Sequence, residues 1–223
     1  MPPLLLRNTT GKKLCDYVAR QLNHFFPDDS GISGATFSSH IDAVLERLGA
    51  CFGGIQRRKY QENGQPFFNY LHPDHYAVFL YLLANTIFRN DQEDALAFRV
   101  YYLNKALHAL DAFYDAELPE VFMFMHPVGT VLGHAKYGNY FCAYQNCTVG
   151  SDEPGNNPVF GEAVVLYAGA TVIGQSNIGS NVVLGAKSFV IDRDVPDNSV
   201  VMGQFPRLRV TPNRTHVLDR RFR

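Results

Sequence analysis

The sequence lacks both a charge imbalance and a long hydrophobic run. Its 223 residues carry a formal net charge of -1 at pH 7, so electrostatics give no reason to expect nucleic acid or an anionic membrane as a partner. The opening stretch MPPLLLRNTTGKK is too short in apolar residues for a signal peptide, and HYAVFLYLLANTIF has the length of a buried helix rather than a membrane span. We therefore expect a cytoplasmic protein without membrane insertion.

Cysteine is also scarce, and its spacing excludes two common uses. The four cysteines form no C-x-x-C pair, no zinc spacing and no dense disulfide framework. Five histidines of the first half also share no ligand spacing: His24, His40, His72, His75 and His108. We expect reduced, mostly buried thiols, histidines that are surface or core residues, and no metal ion.

The first half of the chain has helical periodicity. In GKKLCDYVARQLNHFF, four apolar residues recur on one helix face: Leu14, Val18, Leu22 and Phe25. Similar patterns follow in SSHIDAVLERLGACF, HPDHYAVFLYLLANTIFRN and QEDALAFRVYYLNKALHALDAFYD, and turn-rich pieces separate them. This pattern predicts an all-helical domain over residues 1–115.

The second half has a period of six, which fits neither an α-helix nor a simple strand. Apolar residues recur at Phe160, Leu166, Val172, Ile178, Leu184 and Val190, and upstream in a shifted phase at Val131, Tyr137, Ala143 and Val149. A hexapeptide repeat is typical of a parallel β-helix. In a triangular coil, residues 18 apart stack, so Phe160 should lie under Ile178 and Leu166 under Leu184. The predicted β-helix covers residues 116–210, and residues 211–223 form a tail.

Small residues and one loop punctuate this repeat. Glycine follows the apolar position at Gly138, Gly150, Gly161, Gly179 and Gly185, where tight corners need unusual backbone angles or leave no space for a side chain. The polar stretch SDEPGNNP breaks the phase between Gly150 and Val159 and cannot continue a coil. It is predicted to leave the β-helix as a loop, and loops of this kind commonly build the binding face of a solenoid.

The stretch HPVGTVLGHAKYGNYFCAYQNCTVG resembles the serine acetyltransferase branch of the hexapeptide-repeat acyltransferases. The matching positions are His126, Gly129, Val131, Gly133, Ala135, Gln145, Thr148 and Gly150, and DVPDNSVVMGQFP is similar to the closing segment of that family. The resemblance implies a left-handed β-helix and a homotrimer or a dimer of trimers. It also implies active sites in grooves between subunits, acetyl-CoA as cosubstrate and no metal.

His126 is the expected general base. An imidazole can accept the proton of an acceptor hydroxyl and pass it to the leaving thiolate, and a carboxylate on its other ring nitrogen would orient it. Aligning the family pattern favours Asp111 for that carboxylate. The local sequence around ELP suggests Glu117 instead, and Asp115 lies between them.

The resemblance also implies a coenzyme path. Ala168, Gly185 and Ala186 occupy the small positions that the family leaves open for the pantetheine arm, which would pair with the backbone along one β-helix edge. Three basic residues are then placed to meet the phosphates or the adenine end: Lys187, Arg207 and Arg209.

Two departures from the family concern the acceptor. Met125 stands where serine acetyltransferases carry Asp, and Asn156-Asn157-Pro158 stands where they carry Arg-His-Pro. Without those residues the charges of a zwitterionic acceptor would be buried unpaired, which is energetically costly. We therefore expect an uncharged acceptor, a sugar hydroxyl, bound near Met125, Gln145 and Asn157.

Several alternatives stay open. They are serine O-acetylation in cysteine biosynthesis, aminosugar N-acetylation, a zinc enzyme of the γ-carbonic anhydrase kind, and a non-enzymatic scaffold.

Overall fold

The helical half of the chain comes first in the computed structural model, which describes residues 4–91 and 94–222. The four long helices are α1 (Gly11–Phe25), α2 (Ile41–Gly53), α3 (Pro73–Asp91) and α4 (Asp94–His108). Leu14, Val18 and Leu22 are fully buried as predicted, whereas Phe25, the last residue of α1, is 43% exposed. Phe25 belongs to the predicted helix but is partly exposed, because the helix ends there.

The helical half also contains a small sheet, which the helical periodicity did not predict. Its strands are β1 (Leu6–Arg7), β2 (Gln61–Glu62) and β3 (Gln65–Phe68), in the order β1-β3-β2. Two short 3₁₀ helices, Gly34–Phe37 and Arg58–Tyr60, connect these elements. Phe68 is fully buried, so the sheet contributes to the helical core.

The second half is a parallel β-helix with three faces. Face one holds β4 (Asp111–Ala112), β6 (Val131–Leu132), β8 (Thr148–Gly150), β11 (Thr171–Ile173) and β14 (Phe189–Ile191). Face two holds β5 (Phe122–Met125), β7 (Phe141–Tyr144), β10 (Val165–Leu166), β13 (Val183–Leu184) and β15 (Ser199–Met202), with β16 (Arg209–Pro212) antiparallel at its end. Face three holds β9 (Val159–Phe160) and β12 (Asn177–Ile178).

The stacking register confirms the predicted coil length. Phe160 pairs with Ile178 and Leu166 pairs with Leu184, each 18 residues apart. Residues 151–158 form no helix or strand, so the polar stretch leaves the coil as the predicted loop. That loop is closed by Asp152, whose carboxylate accepts hydrogen bonds from the backbone N–H and the side-chain amide of Asn156, both at 2.7 Å.

One phase assignment was wrong. Val131 is 39% exposed, and its neighbour Leu132 is buried at 1%. Leu132 pairs with Val149, only 17 residues on, whereas Phe122 pairs with Phe141, 19 residues on. The first coil therefore departs from the strict 18-residue spacing on both faces, and the inward position on face one moves by one.

Steric crowding explains why a corner of the β-helix has glycine at position 138. A Cβ atom there would lie 2.3 Å from the carbonyl oxygen of Gly161 in the next coil, so any side chain would push the two coils apart. A Cβ atom at Gly150 would have no neighbouring atom within 4 Å, so crowding does not explain the glycine at that position.

The residues after the β-helix fold back on it. Helix α5 (Val217–Arg221) packs with Val217 fully buried, and Phe222 forms a β-bridge with Ile55 of the helical half. The predicted boundaries at residues 115 and 210 stay predictions, since β4 begins at Asp111 and β16 spans Arg209–Pro212. Within the described chain, no helix has both the length and the hydropathy to cross a membrane.

Candidate active site

One edge of the β-helix gathers the residues singled out from the sequence. β5 pairs with β7 so that Met125 lies opposite Tyr144, and β7, β10 and β13 continue the register. One residue past Met125 and Tyr144 come His126 and Gln145, and the equivalent positions of the next coils are Ala168 and Ala186. We call this column the His126 edge. It lies where face two turns into face one.

His126 stands at the first corner of this edge. It follows the buried strand β5 and has a left-handed backbone (φ 51), and its carbonyl oxygen accepts a hydrogen bond from the N–H of Val128 at 2.7 Å. Asn146 and Lys187, at corners of later coils, also have positive φ. The left-handed conformation of His126 is therefore a property of the corner and does not indicate a catalytic role. The His126 side chain is 71% exposed in the single chain.

The carboxylate beside His126 is Asp74, which the sequence did not point to. Asp74 lies in the first turn of α3, and its Oδ2 is 3.9 Å from His126 Nδ1 with only 8% of its side chain exposed. A helix N-terminus favours a carboxylate, which explains how a buried acid is tolerated there. The distance is that of an ion pair rather than a hydrogen bond, so the contact strengthens when the imidazole is protonated.

The carboxylates predicted to orient His126 have other partners. Asp111 accepts a hydrogen bond from the hydroxyl of Tyr101 at 2.7 Å and pairs with Lys105 Nζ at 2.6 Å. The other two pairs are more exposed: Glu117 with Arg89 at 3.7 Å, and Asp115 with His134 at 3.5 Å. In the single described chain, therefore, His126 forms no pair with Asp111 or Glu117.

The predicted coenzyme residues lie close together at the end of the His126 edge that is formed by the later coils. The N–H of Lys187 donates to the carbonyl of Ala168 at 2.9 Å, and the N–H of Gly185 donates to Val201 at 2.8 Å. Ala186 and Lys187 are exposed at this corner. Arg207 lies in the turn after β15, and Arg209 pairs with Met202 at the same end of the sheet. This exposed strip of small residues with flanking cations agrees with a path for an extended, anionic ligand.

The three predicted acceptor residues are divided between two edges. Gln145 lies on the His126 edge and Met125 lies next to it, one residue before His126. The side-chain oxygen of Gln145 is buried without a hydrogen-bond donor among the described residues. Asn157 lies in the loop between β8 and β9, where face one turns into face three, and its side chain donates to the carbonyl of Gly155 at 3.2 Å. One chain therefore does not bring Asn157 to His126.

Two histidines of the helical half lie next to Asp74. His75 is fully buried, its Nδ1 accepts a hydrogen bond from the N–H of Asn69, and its ring lies 4.3 Å from those of Tyr60 and His72. Burial, together with the nearby His72 and Lys59, lowers the pKa of His75 to about 3. Within the described ranges, no group of three or more His, Cys, Asp or Glu side chains is arranged to hold a metal ion.

His75 makes stability depend on pH. Its pKa in the folded chain lies below the ordinary value of about 6.5. As the pH falls from 6 to 4.5, His75 therefore binds a proton in the unfolded chain but not in the folded chain. The free energy of unfolding should therefore fall by about 2 kcal/mol more in the wild type than in His75→Phe over that range. Urea unfolding at several pH values measures this difference.

The matched control for this experiment is Tyr60→Phe, because Tyr60 contacts the same ring and does not titrate in that range. Burial also lowers the pKa of His72 and His108, so His75→Phe should keep part of the pH dependence. Identical slopes in His75→Phe and the wild type would contradict the assignment.

A helical region followed by a hexapeptide β-helix is the fold of known serine acetyltransferase structures. A Brucella abortus serine acetyltransferase in complex with coenzyme A superposes with a TM-score of 0.69 and 16% identity, covering 94% of this chain and 84% of that chain. Since the identity is low, this likeness shows the fold alone. No family model matches the sequence.

Relatives by sequence carry the same name. Serine acetyltransferase of Synechococcus elongatus is 35% identical over 106 residues, which is 46% of this chain and 43% of the relative. That of Staphylococcus aureus strain Mu50 is 28% identical over 132 residues, 57% of this chain and 61% of the relative. The chain thus spans about half the length of the curated relatives it matches, and these matches confirm the resemblance to the serine acetyltransferase branch.

Proposed function

We propose that the protein is an acetyl-CoA-dependent O-acetyltransferase in which His126 is the general base. The observation that carries the proposal is the His126 edge, where one register column joins the histidine to the exposed strip around Ala168, Ala186 and Lys187. The similarity to serine acetyltransferases supports it, as does the structural neighbour in complex with coenzyme A.

The chemistry follows from the two ring nitrogens of His126. Nδ1 faces Asp74, which leaves Nε2 for the acceptor. Nε2 takes the hydroxyl proton as the acceptor oxygen attacks the thioester carbonyl, the new ester forms, the carbon–sulfur bond breaks, and the proton passes to the departing thiolate. Asp74 stabilises the imidazolium formed between these two proton transfers. Asp111 and Glu117 would act only after leaving their present partners.

The relatives favour serine over the sugar acceptor that Met125 and Asn157 suggested. The sugar prediction assumed that no acid near His126 could hold an ammonium group, and the structure supplies one in Asp74. We propose serine as the acceptor, with its ammonium group near Asp74 and its hydroxyl at His126 Nε2. A sugar hydroxyl is the second candidate, because Met125 adds no charge to the edge.

The site needs a second subunit in this proposal. The His126 ring is largely exposed, Val128 and Val131 beside it are 59% and 39% exposed, and Asn157 lies on another edge. A trimer in which the loop 151–158 of one subunit faces the His126 edge of the next would bury this apolar surface and complete the acceptor pocket. Light scattering should then give the mass of three chains.

The test of the acceptor is release of coenzyme A from acetyl-CoA with a panel of hydroxyl compounds. We expect turnover with L-serine and at least tenfold less with L-alanine, which has no hydroxyl, or with neutral sugars. Turnover with sugars alone would move the acceptor to the second candidate. Absence of turnover together with absence of coenzyme A binding would overturn the enzyme proposal.

A further inference from the structure

The segment 213–222 lies across face two of the β-helix and reaches the helical half. At one end, Asn213 donates to the side-chain oxygen of Asn181 at 3.1 Å, and the N–H of Val217 donates to the same oxygen at 2.9 Å. At the other end, the carbonyl of Arg221 accepts a hydrogen bond from the N–H of Gln56 at 2.8 Å, and the ring of Phe222 lies 5.6 Å from that of Tyr140. The segment therefore connects the later coils of the β-helix to its first coils and to the helical half.

Arg221 is the residue of this segment that reaches toward the His126 edge. It is 6% exposed, and its guanidinium donates to the hydroxyls of Tyr144 at 2.8 Å and Tyr167 at 2.6 Å. The two rings stack on each other at 4.9 Å, and the guanidinium carbon lies 5.3 Å from each ring centre. In the described parts of the chain no carboxylate pairs with Arg221, so hydroxyl and ring contacts alone compensate its charge.

The two tyrosines border the proposed site directly. Tyr144 lies opposite Met125 in the β5–β7 register, and it immediately precedes Gln145. Tyr167 immediately precedes Ala168. The column formed by Met125, Tyr144 and Tyr167 thus runs beside the His126 edge, one residue away along each strand.

Arg221 also joins the two parts of the site. Its side chain holds the β-helix through Tyr144 and Tyr167, and its backbone holds the helical half through Gln56. The helical half carries Asp74, and the β-helix carries His126. A shift between the two halves would change the 3.9 Å separation of Asp74 and His126.

We propose that Arg221 is a positioning residue for the acyl transfer: it fixes the His126 edge at Gln145 and Ala168 and sets the distance between Asp74 and His126. The role of the edge in transfer rests on the proposed function. The positioning itself rests on the contacts of Arg221. Such a residue acts through others and touches neither coenzyme nor acceptor.

The test compares Arg221→Met with the adjacent Arg220→Met. Arg220 is exposed, and among the described residues its side chain donates only within its own segment, to His216, Asn213 and Thr215. Loss of two charge-assisted hydrogen bonds should lower kcat by about tenfold to a hundredfold in Arg221→Met, with a smaller change in KM for acetyl-CoA. Arg221→Lys can reach one hydroxyl only, so it should recover part of the loss. Arg220→Met should match the wild type.

Hydrogen exchange separates failure of this proposal from failure of the proposed function. In Arg221→Met, backbone amides of 144–147 and 167–170 should exchange faster, while those of 183–191 in the next coil stay unchanged. That local change supports positioning even if the wild type shows no acyl transfer. Uniformly faster exchange, or unchanged exchange with unchanged kcat, would overturn the positioning role.

Discussion

Replacing His126 by asparagine should lower kcat by about 10²- to 10⁴-fold, the range typical of a lost general base. Asparagine keeps a polar side chain of similar reach but cannot take a proton from the acceptor hydroxyl near neutral pH. The dissociation constant of coenzyme A should stay within about twofold of the wild type, because the proposed coenzyme strip at Ala168, Ala186 and Lys187 is unchanged. Thiol release measures the rate, and the four cysteines of the chain, all buried, should contribute little background.

His134→Asn is the matched control for this experiment. His134 lies in the same coil, its side chain is 63% exposed, and it pairs with Asp115 rather than Asp74. It should keep wild-type kcat. If His126→Asn retained more than about a third of the wild-type kcat while His134→Asn lost activity, the base would have been assigned to the wrong histidine.

Replacing Phe122 by alanine should lower the free energy of unfolding by about 3–5 kcal/mol, as for other large core aromatics. Phe122 is fully buried in β5, its ring packs edge-on against Tyr81 of α3 at 5.6 Å, and it also contacts Phe124 at 5.2 Å. The cavity would open between the helical half and the first strand of face two, the strand that leads into His126. Urea unfolding followed by circular dichroism measures the loss.

Phe25→Ala is the control, since Phe25 is 43% exposed at the end of α1. It should cost less than about 1 kcal/mol. An equal loss in the two variants would mean that Phe25 belongs to the core, as its helical spacing alone had suggested. A loss below about 1 kcal/mol in Phe122→Ala would mean that the two halves do not pack through this ring.

The hexapeptide pattern predicted the stacking of the coils and, in part, the column of residues at the candidate site. The stacking of Phe160 on Ile178 followed from counting, because each coil repeats the same short local unit. Val131 was assigned to the inward position wrongly, because the first coil departs from the 18-residue spacing, and a period read from the sequence does not show where such a departure falls. The column of His126, Gln145 and Ala168 was partly predictable for the same reason: it follows from the register.

The neighbours of His126 were not predictable in this way. Asp74 precedes His126 by 52 positions and lies in a different kind of element, whereas Asp111, closer in sequence, pairs with Lys105. Arg221 contacts tyrosines 77 and 54 positions away. Neither residue follows a helical or six-residue spacing, so no periodic signal marks them.

The sequence by itself determined a helical half, a coil of six-residue sides with a loop after Gly150, and the edge on which His126 stands. These features are set by local periodicity, by corner residues and by the repeat length. Only the tertiary structure decided which acid faces His126 and which cation supports the strands beside it. Those contacts depend on how the helical half and the segment 213–222 pack against the β-helix, and that packing comes from burial of apolar surface between distant parts of the chain, which leaves no spacing rule in the sequence.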